Sequence, residues 1–469
     1  MRGALLLAGG IALVACSRTP QPPPLFELLP PAATGVAFVN EVPEQDTALN
    51  IINFLNYYNG GGVAVGDVDG DGLPDLYFTS NVGSNRLYRN LGNYRFEDIT
   101  ERAGVADPEG WKTGVTMADV NGDGRLDIYV SAMSYLTLHG HNVLYINNGD
   151  GTFTDRTKQY GLDFAGYSTQ AVFFDYDGDG DLDMYLLNYS THAERGPSTH
   201  PQREPRHPRA GDRLFRNDGG HFVDVSDQAH IYGGVEGYGL GVVASDLNLD
   251  GCPDLYVAND FQEDDFLYIN NCDGTFTESL ARAVGHTSHA SMGVDAADFN
   301  NDGRPDLMVL DMLPEREDIL KSSINADPFP IEHMKLQAGY HPQYARNTLQ
   351  LNRGSVGGAV RFSEIGYLAG VYATDWSWAP LFADLDNDGN KDLFVTNGIY
   401  RRPNDLDYLA AVRDSAIQAA LATGISSGLL RRLTHLMPHV PLANYAYRNN
   451  GDQTFTNMAQ PWGLAQPGF

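Results

Sequence analysis

Asp67-Val68-Asp69-Gly70-Asp71-Gly72-Leu73-Pro74-Asp75 places carboxylates at positions 1, 3, 5 and 9 of a nine-residue stretch, with glycine at position 6. The frame Asp-x-[Asp/Asn]-x-Asp-Gly-x-x-Asp recurs five more times. The copies are Asp119, Asn121, Asp123, Asp127; Asp175, Asp177, Asp179, Asp183; and Asp246, Asn248, Asp250, Asp254. The last two are Asp298, Asn300, Asp302, Asp306 and Asp384, Asp386, Asp388, Asp392. One copy is a weak signal, but six with an intact frame are a repeat architecture. Asp and Gly also favour plain solvated turns. A turn does not ask for four oxygen-bearing side chains every time, whereas a hard cation does. Ca²⁺ takes six to eight oxygens at about 2.3–2.6 Å, and glycine at position 6 permits the tight curl that brings them together. A main-chain carbonyl at position 7 adds a ligand in this reading; those residues are Leu73, Arg125, Asp181, Cys252, Arg304 and Asn390. The expected cofactor is Ca²⁺, one ion per loop.

These loops are not EF-hands. An EF-hand needs a glutamate at position 12 and an exiting helix. Position 12 here is Phe78, Val130, Leu186, Val257, Val309 or Val395. The residues after position 9, such as Ile128-Tyr129-Val130, are β-branched and aromatic, and those before position 1, such as Val63-Ala64-Val65, are strand-like too. Each loop is therefore the tip of a β-hairpin. A second hairpin follows each: Leu87 to Phe96, Leu144 to Phe153, Leu214 to Phe222, Leu267 to Phe276, Leu349 to Phe362 and Tyr447 to Phe455, each turning on Asn or Gly. Four antiparallel strands in tandem repeat read as the blades of a propeller. The predicted fold is all-β, with blades near 57–106, 107–162, 163–232, 233–285, 286–370 and 371–464.

The glycine-flanked hairpin loops resemble the FG-GAP repeat of integrin α-type propellers, also described as VCBS repeats. Tyr57-Tyr58-Asn59-Gly60-Gly61-Gly62, Tyr256-Val257-Ala258-Asn259-Asp260-Phe261, Thr374-Asp375-Trp376-Ser377-Trp378-Ala379-Pro380 and Asn404-Asp405-Leu406-Asp407-Tyr408 are similar to stretches of the cartilage acidic protein / ASPIC-UnbV family. The resemblance implies a propeller, usually seven-bladed, with calcium in the hairpin loops, and implies no catalytic residues. Two departures stand out: no ASPIC/UnbV domain is recognisable, and a seventh blade is not found. Phe26-Glu27-Leu28-Leu29, followed by Thr34-Gly35-Val36, echoes Phe96-Glu97-Asp98-Ile99 followed by Ala103-Gly104-Val105, as the last strand of a blade without its first three. The expectation is a fragment lacking blade seven, or else six blades that close or leave an open edge.

The N-terminus reads as an address. Met1-Arg2 precedes an apolar run from Gly3 to Val14, too short to span a bilayer, that ends in Leu13-Val14-Ala15-Cys16. That is a lipoprotein signal over residues 1–15 with Cys16 acylated, then a proline-rich tether over 16–25 and the propeller over 26–469. An ordinary signal peptide with an incidental cysteine is the plainer alternative. The expected location is exported, on the outer membrane or cell surface of a bacterium, with membrane contact through the lipid alone.

Three insertions break the strand rhythm. Residues 190–212 carry His192, His200 and His207 at spacings too irregular for a zinc site, and read as a loop. Residues 312–346 divide blade 5, and 401–443 contain a helical pattern from Leu406 to Leu433. Such loops on a rigid scaffold are where ligand contact is expected. Trp376 and Trp378 alternate along a strand, so at least one belongs to the core. Cys252 and Cys272 lie in one blade, near enough for a disulfide if the compartment oxidises them, and otherwise are two free thiols.

The formal net charge is -29, from 60 acidic and 31 basic residues, of which only Lys112, Lys158, Lys321, Lys335 and Lys391 are lysine. Such a balance excludes nonspecific nucleic-acid binding, since a phosphate backbone would be repelled. Twenty-one carboxylates occupy positions 1, 3, 5 and 9 of the six loops, and six divalent ions would bring -29 to -17. No nucleophile elbow, Gly-rich phosphate loop or His-Glu-x-x-His is present in the sequence. The functional expectation is a lipid-anchored, calcium-binding propeller that binds or adheres to a protein or glycan partner. The alternatives are a polysaccharide-active enzyme on a propeller scaffold and a periplasmic assembly factor.

Overall fold

Each acidic loop turns a β-hairpin, and each hairpin pairs onward into a four-stranded antiparallel sheet. The computed structural model describes residues 23–44, 49–135, 137–191, 200–324, 326–356, 359–414, 417–418 and 426–468. Cys16 with the leader, most of the tether, His192, and part of the stretch between Leu406 and Leu433 lie outside the described residues. Blade 1 is Val63–Gly66, Asp75–Phe78, Arg86–Asn90 and Phe96–Asp98, each strand bonded to the next. Blade 2 begins at Trp111–Ala118, blade 3 at Ser168–Phe174, and blade 4 at Gly239–Ser245. Blade 5 begins at Gly293–Ala297 and blade 6 at Ser377–Ala383. Among the described residues the fold is thus a ring of six four-stranded blades.

Packing follows from strand alternation. In the first strand of blades 2 to 6, the residues two and four before the loop face the preceding blade, as with Met117 and Val115, or Ala244 and Val242. The residue between them faces the following blade. The second strands are sandwiched on both sides. Asp127–Met133, Asp183–Asn188 and Asp254–Asn259 are buried at every position, which is why they read as unbroken apolar runs bounded by polar ends. Five inter-blade cores result, each filled by Leu, Val, Tyr and Phe from two neighbours. Burial of each such side chain is worth about 1.5–3 kcal/mol.

A polar device repeats at the other end of each blade. The residue before the third strand uses its side-chain oxygen to accept the main-chain N–H at the end of the second strand. Asn85 takes Ser80, Asn142 takes Ala132, Asp212 takes Asn188, Asp265 takes Asn259, Asn347 takes Asp311 and Asn444 takes Asn397, at 2.7–3.0 Å. In blade 1 the Asn85 amide also donates to the Tyr77 hydroxyl; in blades 3 and 4 the hydroxyls of Tyr185 and Tyr256 instead donate to Asp212 and Asp265.

One local expectation is corrected. Phe26–Leu29 is not a strand: the stretch is irregular and runs into a one-turn helix, Pro31–Thr34, capped by Gly35. A fourth strand needs a third strand to bond to, and among the described residues none lies beside it. The insertion at 312–346 holds two helices, Glu317–Ser322 and Phe329–Ala338, that its sequence did not announce. The insertion at 401–443 has described helices at Leu406–Val412 and Ser427–Leu436, started by the side chains of Asp405 and Ser426. Trp376 is core, and Trp378 donates its indole N–H to the Gly398 carbonyl. Among the described residues no helix is long and apolar enough to cross a membrane.

Burial pushes the carboxyls of Asp212 and Asp265 up to about 7, against the hydrogen bonds that favour the charged form, with Arg206 nearby for the first and Asp264 for the second. Their folded values lie above the unfolded one near 3.8, so the folded chain holds extra protons between about pH 4 and 7. Stability from these two groups therefore falls as pH rises through that window, by at most about 1.4 kcal/mol per unit each. Asp212→Asn/Asp265→Asn installs the residue the other four blades use. Urea denaturation across that window is expected to show a flatter pH dependence for the double variant; an unchanged slope contradicts the assignment.

Candidate functional site

Antiparallel connectivity gives the ring two faces. The acidic loops and the Asn/Gly turns lie on one; the connections from second to third strand, which include all three insertions, lie on the other. The chemistry of the two faces differs.

On the loop face, position 1 forms an N–H cradle. Asp67 accepts from Gly70 and Asp71 through Oδ1 and from Gly72 through Oδ2. Asp175 and Asp384 take equivalent donors. Position 5 accepts the N–H of position 7, as Asp71 does from Leu73, Asp179 from Asp181 and Asp388 from Asn390. These interlocked turns aim carboxylates inward. Oxygens of Asp67, Asp69 and Asp71, of Asp175, Asp177 and Asp183, and of Asp384, Asp386 and Asp392 converge to within 4.8 Å of one another. This donor set, all oxygen and anionic, fits a hard divalent cation. Two of the three loops with Asn at position 3 carry arginine at position 7. Arg125 and Arg304, expected to offer only main-chain carbonyls, lay their guanidinium groups on Asp123 and Asp302. Arg89 does the same to Asp69 and Asp71 in the first loop.

Position 9 does more than the sequence suggested. Asp75, Asp127, Asp183, Asp254, Asp306 and Asp392 are fully buried. One oxygen of each accepts the N–H of the Asn at the fifth residue of the third strand, at 2.7–2.9 Å. The other accepts the N–H of loop position 2, at 2.9–3.4 Å. Burial raises these carboxyls, to about 6 in Asp127 and about 7 in Asp183, Asp254 and Asp306; the other loop aspartates add to the rise. In blades 2 to 6 that Asn then reaches across to the preceding blade. Asn147 Nδ2 donates to Val68, Asn217 to Val120, Asn270 to Tyr176, Asn352 to Leu247 and Asn449 to Phe299, each the carbonyl at position 2 of that loop. The signal for this latch was present as six recurrences of Leu/Ala-x-x-Asn; the partner across the blade gap was not.

Position 7 packs over the turn after the third strand: Leu73 over Gly92, Arg125 over Gly149, Arg304 over Gly354. In blade 4 that contact is covalent, a disulfide between Cys252 and Cys272 with Cα atoms 5.8 Å apart. Asp250 lies beside it, but sulfurs joined to each other are not thiolate ligands.

The insertion face is built from residues no motif singles out. Arg203 bonds Glu263 at 2.9 Å and Asp264 at 2.7 Å, with Tyr232 and Phe266 beneath its guanidinium. Burial pushes Glu263 up to about 7 despite that arginine. Asp264 also accepts the His341 N–H, and Tyr340 donates to Glu236. These contacts pin the insertions at 200–212 and 326–346 onto blade 4. Between them lies a cavity of about 260 Å³ lined by Arg203, Asp264, Glu278, Tyr340 and His341 among others. His341 Nε2 is buried with no partner among the described residues. Beside it, Asp327 pairs with His289 and Lys335. His207 accepts main-chain N–H groups of Arg209 and Ala210, a structural role.

Comparison with known proteins finds repeat similarity over part of the chain. FG-GAP-like repeats match residues 67–130, 133–186 and 246–309. The chain is similar to cartilage acidic protein 1 from Xenopus tropicalis, 30% identical over 210 residues, covering 44% of this chain and 30% of that protein. It is similar to the Homo sapiens protein of that name, 28% identical over 283 residues, covering 54% of this chain and 39% of the relative. The match thus spans about a third of the length of these curated relatives. Among solved structures, an Agrocybe aegerita lectin that recognises non-reducing terminal N-acetylglucosamine aligns at a TM-score of 0.42 and 14% identity, over 86% of this chain and 83% of the lectin.

Proposed function

We propose that this chain of FG-GAP-like repeats is an exported, lipid-anchored, calcium-loaded propeller that binds a protein or glycan partner through its insertion face. The observation that carries the reading is the division of labour between the faces. The loop face repeats one geometry six times and suits an ion. The insertions on the other face do not repeat, and they gather a cavity, a sandwiched arginine and a buried histidine nitrogen with no partner among the described residues. Specific recognition needs non-repeating polar groups in a concave, partly apolar setting.

Asp67, Asp69, Asp71, Asp175, Asp177, Asp183, Asp384, Asp386 and Asp392 would hold calcium, and the ion would supply charge neutralisation that the clustered carboxylates otherwise lack. The loops containing Asn121, Asn248 and Asn300 offer three carboxylates each and would bind more weakly. At free calcium 100-fold above Kd, one site adds about 2.7 kcal/mol. Chelation is therefore expected to lower Tm by many degrees, and Asp177→Asn to lower the calcium stoichiometry in titration calorimetry. A melt indifferent to chelator defeats the calcium assignment.

The anchor rests on Leu13-Val14-Ala15-Cys16. Cys16→Ser is expected to move the protein from membranes to the soluble exported fraction; continued membrane association points to a different tether.

The partner is sought on a glycan array and a panel of purified extracellular proteins, in calcium. The expected outcome is a hit lost in Arg203→Ala and His341→Ala but kept in Asn148→Ala on the loop face. Release of cleaved product from a bound polysaccharide would replace the binding reading with the enzymatic one.

A further inference from the structure

The six loops differ in what ties their side chains to the third strand of the same blade. Each loop is numbered here by its blade. Loops 2 and 5 carry arginine at position 7. Arg125 Nε donates to the Asn147 carbonyl at 3.3 Å, and its Nη2 donates to Asp123 Oδ2. Arg304 repeats both contacts, to the Asn352 carbonyl at 3.1 Å and to Asp302 Oδ2. Each guanidinium therefore bridges the position 5 carboxylate and the third strand. Oδ1 of the same carboxylate accepts the position 7 N–H. Both oxygens of Asp123 and Asp302 are thus engaged, one of them by a positive charge.

Loop 1 reaches the same state from the strand side. Arg89, one residue before Asn90, lies on Asp69 at 2.5 Å and on Asp71 at 3.1 Å. Arg216 holds the equivalent place in blade 3, but its guanidinium is met by Asp218 at 2.7 and 3.2 Å; blade 1 has Leu91 there. In loop 4 the Cys252–Cys272 disulfide makes the tie covalent.

Loops 3 and 6 have neither arginine nor cysteine at position 7, which is Asp181 or Asn390. Oδ1 of Asp179 and of Asp388 accepts the position 7 N–H, and Oδ2 of each has no hydrogen-bond partner among the described residues. In both loops the carboxylates of positions 1, 3 and 9 converge. Charge separates the classes. Three carboxylates and one guanidinium leave loops 2 and 5 at -2, against -4 from the four ligand carboxylates of loop 3 or loop 6. A partly exposed ion pair adds little stability by itself. Its effect falls on an incoming cation, which meets a fixed positive charge and loses an oxygen at position 5.

We propose that Arg89, Arg125 and Arg304 are built-in cations that stand in for part of the calcium charge, so that loops 3 and 6 form the tight calcium class and the other loops keep their shape without the ion. This rests on the calcium reading above and assigns which loops depend on it. Ion loss then loosens the ring at blades 3 and 6 first, not uniformly.

Calorimetric calcium titration and amide hydrogen exchange of the intact protein test the assignment. The parent is expected to show two sites tighter than the rest, and chelation to speed exchange at 175–183 and 384–392 but not at 119–127, 246–254 or 298–306. In Arg125→Gln/Arg304→Gln, calcium affinity of loops 2 and 5 is expected to rise about tenfold, the effect of removing one close unit charge. Chelation then speeds exchange at 119–127 and 298–306 as well. The reciprocal variant Asn390→Arg is expected to remove loop 6 from the tight class, and it decides the matter if the double variant does not fold. Six equivalent sites in the parent, or affinities and exchange unchanged in the variants, overturn the assignment while leaving the calcium reading intact. A parent that binds no calcium overturns that reading and this assignment together.

Discussion

A buried aspartate that accepts two main-chain N–H groups is the constraint on which the propeller depends. At position 9 of every loop it ties the hairpin to the end of the third strand, and the asparagine at that end ties the blade to its predecessor. Removing such a carboxylate would orphan two buried donors at once, a cost of about 1–3 kcal/mol for each. The loop, the blade and the junction between blades are therefore one hydrogen-bonded unit. Any ion held by the loop acts on the ring through that unit.

The two faces of the ring are held in different ways. The loop face is tied into the junctions, so its geometry repeats and its side chains have little freedom to vary. The insertion face has cross-blade bonds of another kind, such as Asn142 Nδ2 to the Ser168 hydroxyl and Asn347 Nδ2 to the Thr374 hydroxyl. It tolerates two helices between the strands of blade 5 and a long excursion in blade 6, because the strands on either side are already fixed from below. Its side chains are instead held by local contacts such as Arg203 between Glu263 and Asp264. The disulfide makes the same point in covalent form, since it strengthens a contact that Leu73, Arg125 and Arg304 make by packing.

The fold was legible because its signals are periodic. Six identical loop frames, strand alternation and the strand-ending Asn each recur at fixed offsets, and FG-GAP-like repeats with a six-bladed ring follow from them. Phe26–Leu29 was legible as a blade remnant but not as non-strand, because pairing depends on a neighbour, not on the segment itself. Helix Phe329–Ala338 escaped notice because it lacks an apolar stripe; it carries Glu332, His333 and Lys335 among its apolar residues.

The sequence by itself determined the repeat unit, the acidic loops and the antiparallel order within each blade, since all three are set by residues within a few positions of one another. Only the tertiary structure decided which carboxylates converge, that position 9 serves the inter-blade junction, and that Arg203, Glu263, Asp264 and His341 meet. Those facts join residues from different blades and insertions, and sequence periodicity holds no information about contacts between elements brought together only when the ring forms.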